Sequence, residues 1–255
     1  MTPVTAVIPC FRCAGTIARA VDSVLRQTAR PAEIFVVNDA SDDGSSAALA
    51  GLGVAVRTIS LARNRGPAGA RNAGWRAATQ PYVAFLDADD TWQVRKIELQ
   101  LAWMESHPQS LLTGHRIHEH TLGEASVSSI DSATRVSPLM LLASNRFQTS
   151  SVMLRRSLSQ RFAEDKRYCE DYLLWLEIVL GGGEAHYLDA PIATRFKAPY
   201  GADGASGRLW AMERGELDAL RRVWQGGLLG FSGFAAAVTW SGMKFLRRAA
   251  LAQLR

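Results

Sequence analysis

The chain opens on an apolar run, "VTAVIP" (residues 4–9), after which the spacing of apolar positions changes. In "GTIARAVDSVLRQT", Ile17, Ala20, Val21, Val24 and Leu25 recur at intervals that place them on one helical face. Pro31 turns the chain into "EIFVVN", a β-branched run of the buried-strand kind, and the polar "DASDDGSS" then leads into a short helix. "VAVRTI" predicts a third strand, "PAGARNAGWRAAT" a helix with Pro67 in its first turn, "YVAFLD" a fourth strand and "RKIELQLAWMES" another helix. Strands alternating with helices of this length predict an open, mostly parallel α/β sheet flanked by helices. Ligands of such sheets bind beyond the carboxyl ends of the strands.

The second half is less regular. "LLTGHRIHEH", "TSSVMLRR", "AHYLDA" and "PIATRFK" supply strand material, and "EDYLLWLEIVL" is a helix that opens on acids, which suits its positive N-terminal end. "APYGADGASG" (198–207) is a glycine-rich loop. With no internal repeat, residues 1–225 read as one domain and 226–255 as a C-terminal helical segment, amphipathic and basic. Val223 to Met243 contain no charge, but five glycines and several polar residues make this stretch a poor membrane span. A helix packed on the domain or lying at an interface is expected instead. The closing "KFLRRAALAQLR" holds Lys244, Arg247, Arg248 and Arg255 and no acid, a composition suited to an anionic membrane surface.

Composition narrows the classes. A length of 255 residues allows one substantial domain with a real core, and 47% hydrophobic with 21% charged residues is ordinary for a globular protein. The net charge of +5 is modest, and the basic residues do not interleave with aromatics as in nucleic-acid binders. "MTPVTAVIPC" lacks the basic start of a secretory leader, and three cysteines make no paired framework, so a reducing, cytoplasmic setting is the expectation. Cys10 and Cys13 form a CxxC without a second ligand pair and read as two incidental thiols. The five histidines show no metal-ligand spacing.

The candidate chemistry lies in the carboxylates. Asp39 follows a strand and could accept the N–H of a nucleobase or simply belong to a solvated turn. "FLDADDTW" sets Asp87, Asp89 and Asp90 at the mouth of the fourth strand, where like charges repel unless a cation or hydrogen bonds intervene. Mg²⁺ and Mn²⁺ are commonly shared between one or two such carboxylates and substrate phosphates. No Walker-type loop and no G-x-G-x-x-G is present, so phosphate would be held by metal and basic residues. Arg71 is a candidate for that task. Glu170 and Asp171 either favour the helix dipole or supply a general base for an attacking hydroxyl.

Taken together, "VIPCFRCAGTIARAVDSVLRQTARPAEIFVVNDASDDGS", "NRGPAGARNAGWRAATQPYVAFLDADD" and "CEDYLLWLEI" resemble the family 2 inverting glycosyltransferases of GT-A fold, over roughly residues 3 to 180. The resemblance implies a nucleotide-sugar donor at the carboxyl edge of the sheet, with Pro9, Phe11, Asp39 and Arg71 around the base and Asp39 on uracil. Asp87 would lie near the ribose beside Ala88, and Asp89, with Asp87, would hold Mn²⁺ or Mg²⁺ on the diphosphate. Asp171 would deprotonate the acceptor hydroxyl for a single displacement with inversion.

The chain also departs from the family pattern. Ala40 stands where the family usually has glycine, Phe11 where tyrosine is frequent, and no Q-x-x-R-W follows the acidic pair, which argues against a processive synthase. The activity that the resemblance implies is transfer of one sugar from a nucleotide diphosphate sugar, expected to be a UDP-sugar, to a glycan or lipid-linked hydroxyl, at or near the inner face of the cell membrane. A sugar nucleotidyltransferase and a catalytically inactive nucleotide-sugar-binding module are the alternatives.

Overall fold

The computed structural model describes residues 2–120, 127–196 and 209–253. The first half follows the expected alternation: β1 (Thr2–Cys10), α1 (Ile17–Leu25), β2 (Pro31–Asn38), α2 (Ser45–Ala50), β3 (Arg57–Ser60), α3 (Gly66–Ala77) and β4 (Tyr82–Phe85). Val36 and Val37 in β2, like Ile17, Ala20 and Val24 in α1, are fully buried, because alternate sides of the sheet are covered by helices. Pro67 lies in the first turn of α3 as its fixed φ requires.

The remaining elements are β5 (Thr91–Trp92), α4 (Lys96–Ser106), β6 (Ser110–Glu119), β7 (Ala133–Arg135), α5 (Pro138–Ala143), β8 (Met153–Arg155), α6 (Glu170–Leu180), β9 (Glu184–Arg195), α7 (Leu209–Gln225) and α8 (Phe231–Gln253). The sheet runs β3-β2-β1-β4-β8-β6-β9-β5, with β7 on β9. The β3-β2-β1-β4 half is parallel, whereas β8 pairs antiparallel with both β4 and β6. The long pair β6 with β9 is again parallel, so the sheet is mostly parallel as expected, with short antiparallel pairings of β8, β5 and β7 added to it. "AHYLDA" and "PIATRFK" join into the single long strand β9, with a register shift against β6 between His115 and Ile117 absorbing the proline. The glycine-rich 198–207 stretch lies outside the described residues.

Two features fix α3 against the sheet. A Cβ added at Gly74 would lie 2.4 Å from Val7 Cγ1, so α3 approaches β1 more closely than any side chain there allows. Glu33, buried in β2, accepts from Thr5 Oγ1 at 2.6 Å and from Thr79 N–H and Oγ1 at 2.9 and 2.8 Å, tying β1, β2 and the end of α3 together.

The uncharged 223–243 stretch is divided by a turn, with Gly227 at a positive φ of 76°, between α7 and α8. No helix among the described residues is long and apolar enough to cross a membrane. Instead α8 lies along α7: Ser241 Oγ donates to Glu213, Lys244 pairs with Glu216 and Arg248 with Glu213. Two of the basic residues of the tail are thus spent inside the fold.

Candidate active site

The loops leaving β1, β2 and β4 meet over a cavity of about 1000 Å³. Pro9, Phe11, Asp39, Arg71, Asp87, Ala88 and Asp89 all line it, although up to 80 residues separate them in sequence. Asp171 does not line this cavity. It stands at the N-terminus of α6, joined to the cavity wall through its neighbour Glu170.

Asp39 is 2% exposed and does more than face the cavity. Its Oδ1 accepts the Arg65 N–H at 2.7 Å, and its own N–H donates to the Cys10 carbonyl at 2.8 Å. Burial raises its carboxyl pKa, while the backbone N–H groups of Arg65 and Gly66 oppose the rise. The carboxylate therefore shapes the turn that starts α3 and keeps acceptor capacity for a ligand N–H. Ala40, next in the chain, sits at φ +53°, the left-handed region where glycine carries no penalty.

Arg71 departs from a simple contact around a base. Its guanidinium is buried; Nη2 donates to Asp87 Oδ1 and Nη1 to Glu170 Oε1, both at 2.8 Å, with the Phe162 ring 5.5 Å away. Burial opposes its charge, and the two carboxylates outweigh that cost and hold it protonated. Arg71 is a bridge between the acidic turn after β4 and the first turn of α6.

Asp90 is buried rather than solvated, and it does not cap the following helix: α4 begins after Arg95 with no side-chain cap. Its Oδ2 accepts from Ser150 Oγ at 2.6 Å; the same hydroxyl accepts the Asp87 N–H at 3.1 Å, and Trp92 Nε1 donates to the Ser150 carbonyl at 2.8 Å. Burial, then the nearby Asp87 charge, push the Asp90 pKa up to about 7. Ser150 thus organises the acidic turn from β8's side of the sheet, a role that "TSSVMLRR" does not announce. The repulsion within "DADD" is met in part by Arg71 and by hydrogen bonding of Asp90.

Asp171 follows Cys169, which is held at φ +56°, and Glu170. Its Oδ1 accepts the Tyr172 N–H at 2.7 Å and Asn145 Nδ2 approaches Oδ2 at 3.5 Å. Burial and then the Glu170 charge raise its pKa to about 6, against the pull of Arg71. A carboxylate poised there can accept a proton near neutral pH.

Cys10 and Cys13 are bonded to each other at 1.98 Å, in place of the two separate thiols expected. The turn between them, with Arg12 at φ +49° and the Thr16 and Ile17 N–H groups on the Cys13 carbonyl, brings their Cα atoms to 5.6 Å, within disulfide range.

Among the described residues no group of three or more His, Cys, Asp or Glu side chains is arranged to hold a metal. Asp87 and Asp89 supply hard oxygen donors on one wall of the cavity, and Asp87 keeps one oxygen beyond its bond to Arg71. Two carboxylates completed by substrate phosphate oxygens are a usual Mg²⁺ or Mn²⁺ donor set, so the residues present fit such an ion.

Sequence and fold are both similar to those of known proteins. The family model "Glycosyl transferase family 2" matches residues 5–160. The Escherichia coli protein WfgD, a UDP-Glc:alpha-D-GlcNAc-diphosphoundecaprenol beta-1,3-glucosyltransferase, is 30% identical over 179 residues, covering 69% of each chain. Several longer relatives are matched over only 26–30% of their own length. Among solved structures, S. aureus TarS 1–349 with UDP-GlcNAc superposes with a TM-score of 0.68 at 17% identity, over 87% of this chain and 66% of that one. Mannosyltransferase PcManGT from Pyrobaculum calidifontis, with GDP-Man and Mn²⁺, gives 0.66 at 18% identity, over 98% and 75%. These two neighbours establish the GT-A fold, and with the family model spanning more than half of its length, the chain belongs to glycosyl transferase family 2.

Proposed function

We propose that this glycosyltransferase moves one sugar from a UDP-sugar to a hydroxyl of a lipid-linked glycan acceptor, with inversion. The observation that carries the reading is the Arg71 bridge, which ties Asp87 in the donor cavity to Glu170, next to Asp171. Donor and acceptor machinery are thereby held in one frame. The lipid-linked acceptor and the UDP donor are supported by the substrates that the name of WfgD states.

In this reading Asp39 accepts a uracil N–H, Pro9 and the half-exposed Phe11 face the base, and Asp87 and Ala88 lie along the ribose. Asp89 with Asp87 would hold Mn²⁺ or Mg²⁺, and such an ion would supply positive charge to offset that of the diphosphate. The acceptor oxygen attacks the anomeric carbon as the bond to the diphosphate oxygen breaks, and the acceptor proton passes to Asp171. One displacement inverts the centre. Arg71 stays charged throughout and fixes the Asp87 and Glu170 carboxylates.

The test is a thermal-shift series with UDP, GDP and dTDP, with and without Mn²⁺. UDP should protect best, and Mn²⁺ should enlarge its shift; stronger protection by GDP would sink the uracil assignment for Asp39.

A membrane-facing role for residues 226–255 is supported by the outward side of α8. Ala235, Ala236, Thr239, Met243 and Leu246 are exposed there beside Trp240, with Arg247 as the charge among them and no acid. Trp240 Nε1 donates to the Ala143 carbonyl at 2.9 Å, and Asn145, two residues on, approaches Asp171. That apolar side is therefore linked through a short segment to the edge where a lipid-linked acceptor would enter, and it docks chiefly by apolar burial.

A further inference from the structure

Among the described residues, six cationic side chains line the cavity: Arg12, Arg63, Arg65, Arg71, Lys166 and Arg167. Four are committed within the chain. Arg12 pairs with Asp42, Arg65 with Glu164, Arg71 with Asp87 and Glu170, and Lys166 with Asp218. Arg63 and Arg167 are exposed, and among the described residues neither side chain has an ion pair or hydrogen bond. The acids beside Arg167 in its own loop do not neutralise it: Glu164 is held by Arg65 and Arg76, and Asp165 by Arg222.

The positions of these two charges matter. Arg63 precedes Asn64 and Arg65, which bond Asp39, so it stands at the donor-base end of the cavity. Arg167 stands four residues before Asp171, within about 14 Å of it along the chain at full extension. The cavity, at about 1000 Å³, is at the upper limit of roughly 300–1,000 Å³ for a site holding one small molecule. It has room for part of a second substrate. An uncommitted guanidinium facing such a space matches phosphate oxygens in charge and in its paired N–H geometry.

We propose that Arg167 forms a specificity-determining subsite for an anionic phosphate or diphosphate group on the acceptor, separate from the metal-assisted site of the donor diphosphate. The inference rests on the lipid-linked acceptor reading above and deepens it: the acceptor is recognised by its phosphate linkage as well as by its sugar.

The experiment uses the full chain and two acceptors bearing the same GlcNAc, one an alkyl diphosphate and one a neutral alkyl glycoside, with release of UDP as the readout. The wild type should prefer the diphosphate acceptor in kcat/KM by tenfold or more. Arg167→Ala should reduce that preference about tenfold and Arg167→Lys should restore part of it, since lysine keeps the charge and loses the fork. Equal use of both acceptors by the wild type would overturn the proposal. So would a preference unchanged in Arg167→Ala, or a loss in that variant that appears instead as weaker binding of UDP, which would move Arg167 to the donor diphosphate. If neither acceptor receives sugar, the acceptor reading itself has failed. Titration of the alkyl diphosphate into the UDP-filled protein then still decides: binding about tenfold weaker in Arg167→Ala supports the subsite, and unchanged binding rejects it.

Discussion

Arg71 Nη1 donates to Glu170 Oε1 at 2.8 Å across 99 residues of sequence, with both side chains almost wholly removed from water. A charge pair so deeply buried is retained only when each partner is matched, because an unmatched ion in that setting is costly.

Arg71→Ala should therefore destabilise the protein by about 3–5 kcal/mol, read as a fall in the denaturant midpoint, because Glu170 and Asp87 lose their counter-charge. Arg71→Lys should recover part of this and not all, since one ammonium cannot present two parallel N–H edges to two carboxylates.

The rate of transfer should depend on pH through Asp171. Its pKa is raised to about 6, so the carboxylate that accepts the acceptor proton is present above that value and is lost as the pH falls through it. With saturating substrates, kcat should be level above about pH 7 and fall about tenfold per unit below 6. Asp171→Asn should lower kcat by about 10²–10⁴-fold, with the affinity for UDP retained.

Asp89→Ala should remove the Mn²⁺-dependent part of the thermal shift given by UDP and leave the metal-free part in place. A shift still enhanced by Mn²⁺ in that variant would take Asp89 out of the metal site.

Ala40 occupies a left-handed backbone position at φ +53°. Ala40→Gly should raise stability by up to about 1 kcal/mol in chemical denaturation, the relief of the Cβ clash exceeding the entropy that glycine adds to the unfolded chain.

Met243→Glu and Leu246→Glu place acids on the exposed side of α8. Each should reduce sedimentation with anionic phospholipid vesicles several-fold while the response to UDP persists. Vesicle binding equal to the wild type in the double variant would rule out this side of α8 as the docking surface.

Much of this protein was determined by its sequence. Continuous apolar runs specify the strands β1, β2 and β4, and apolar spacing of three to four specifies α1, because a sheet covered on both faces and a one-sided helix each impose their own pattern on the chain. That alternation places the acids after β2 and β4 at carboxyl ends, and the ordered motifs around them mark the family. Periodicity reports only local geometry and which side of an element is covered.

It is silent on partners far apart in sequence. The antiparallel insertion of β8 between β4 and β6, the bond between Cys10 and Cys13, and the service of Ser150 to both Asp87 and Asp90 were decided by tertiary structure. So was the use of Lys244 and Arg248: the sequence shows a basic tail, and the fold turns these two toward Glu216 and Glu213. Arg71 shows the same division. Its position on a helix was legible, but only the packing of α3 on β1 and the approach of α6 brought Asp87 and Glu170 to its two edges, where burial makes their charges inseparable.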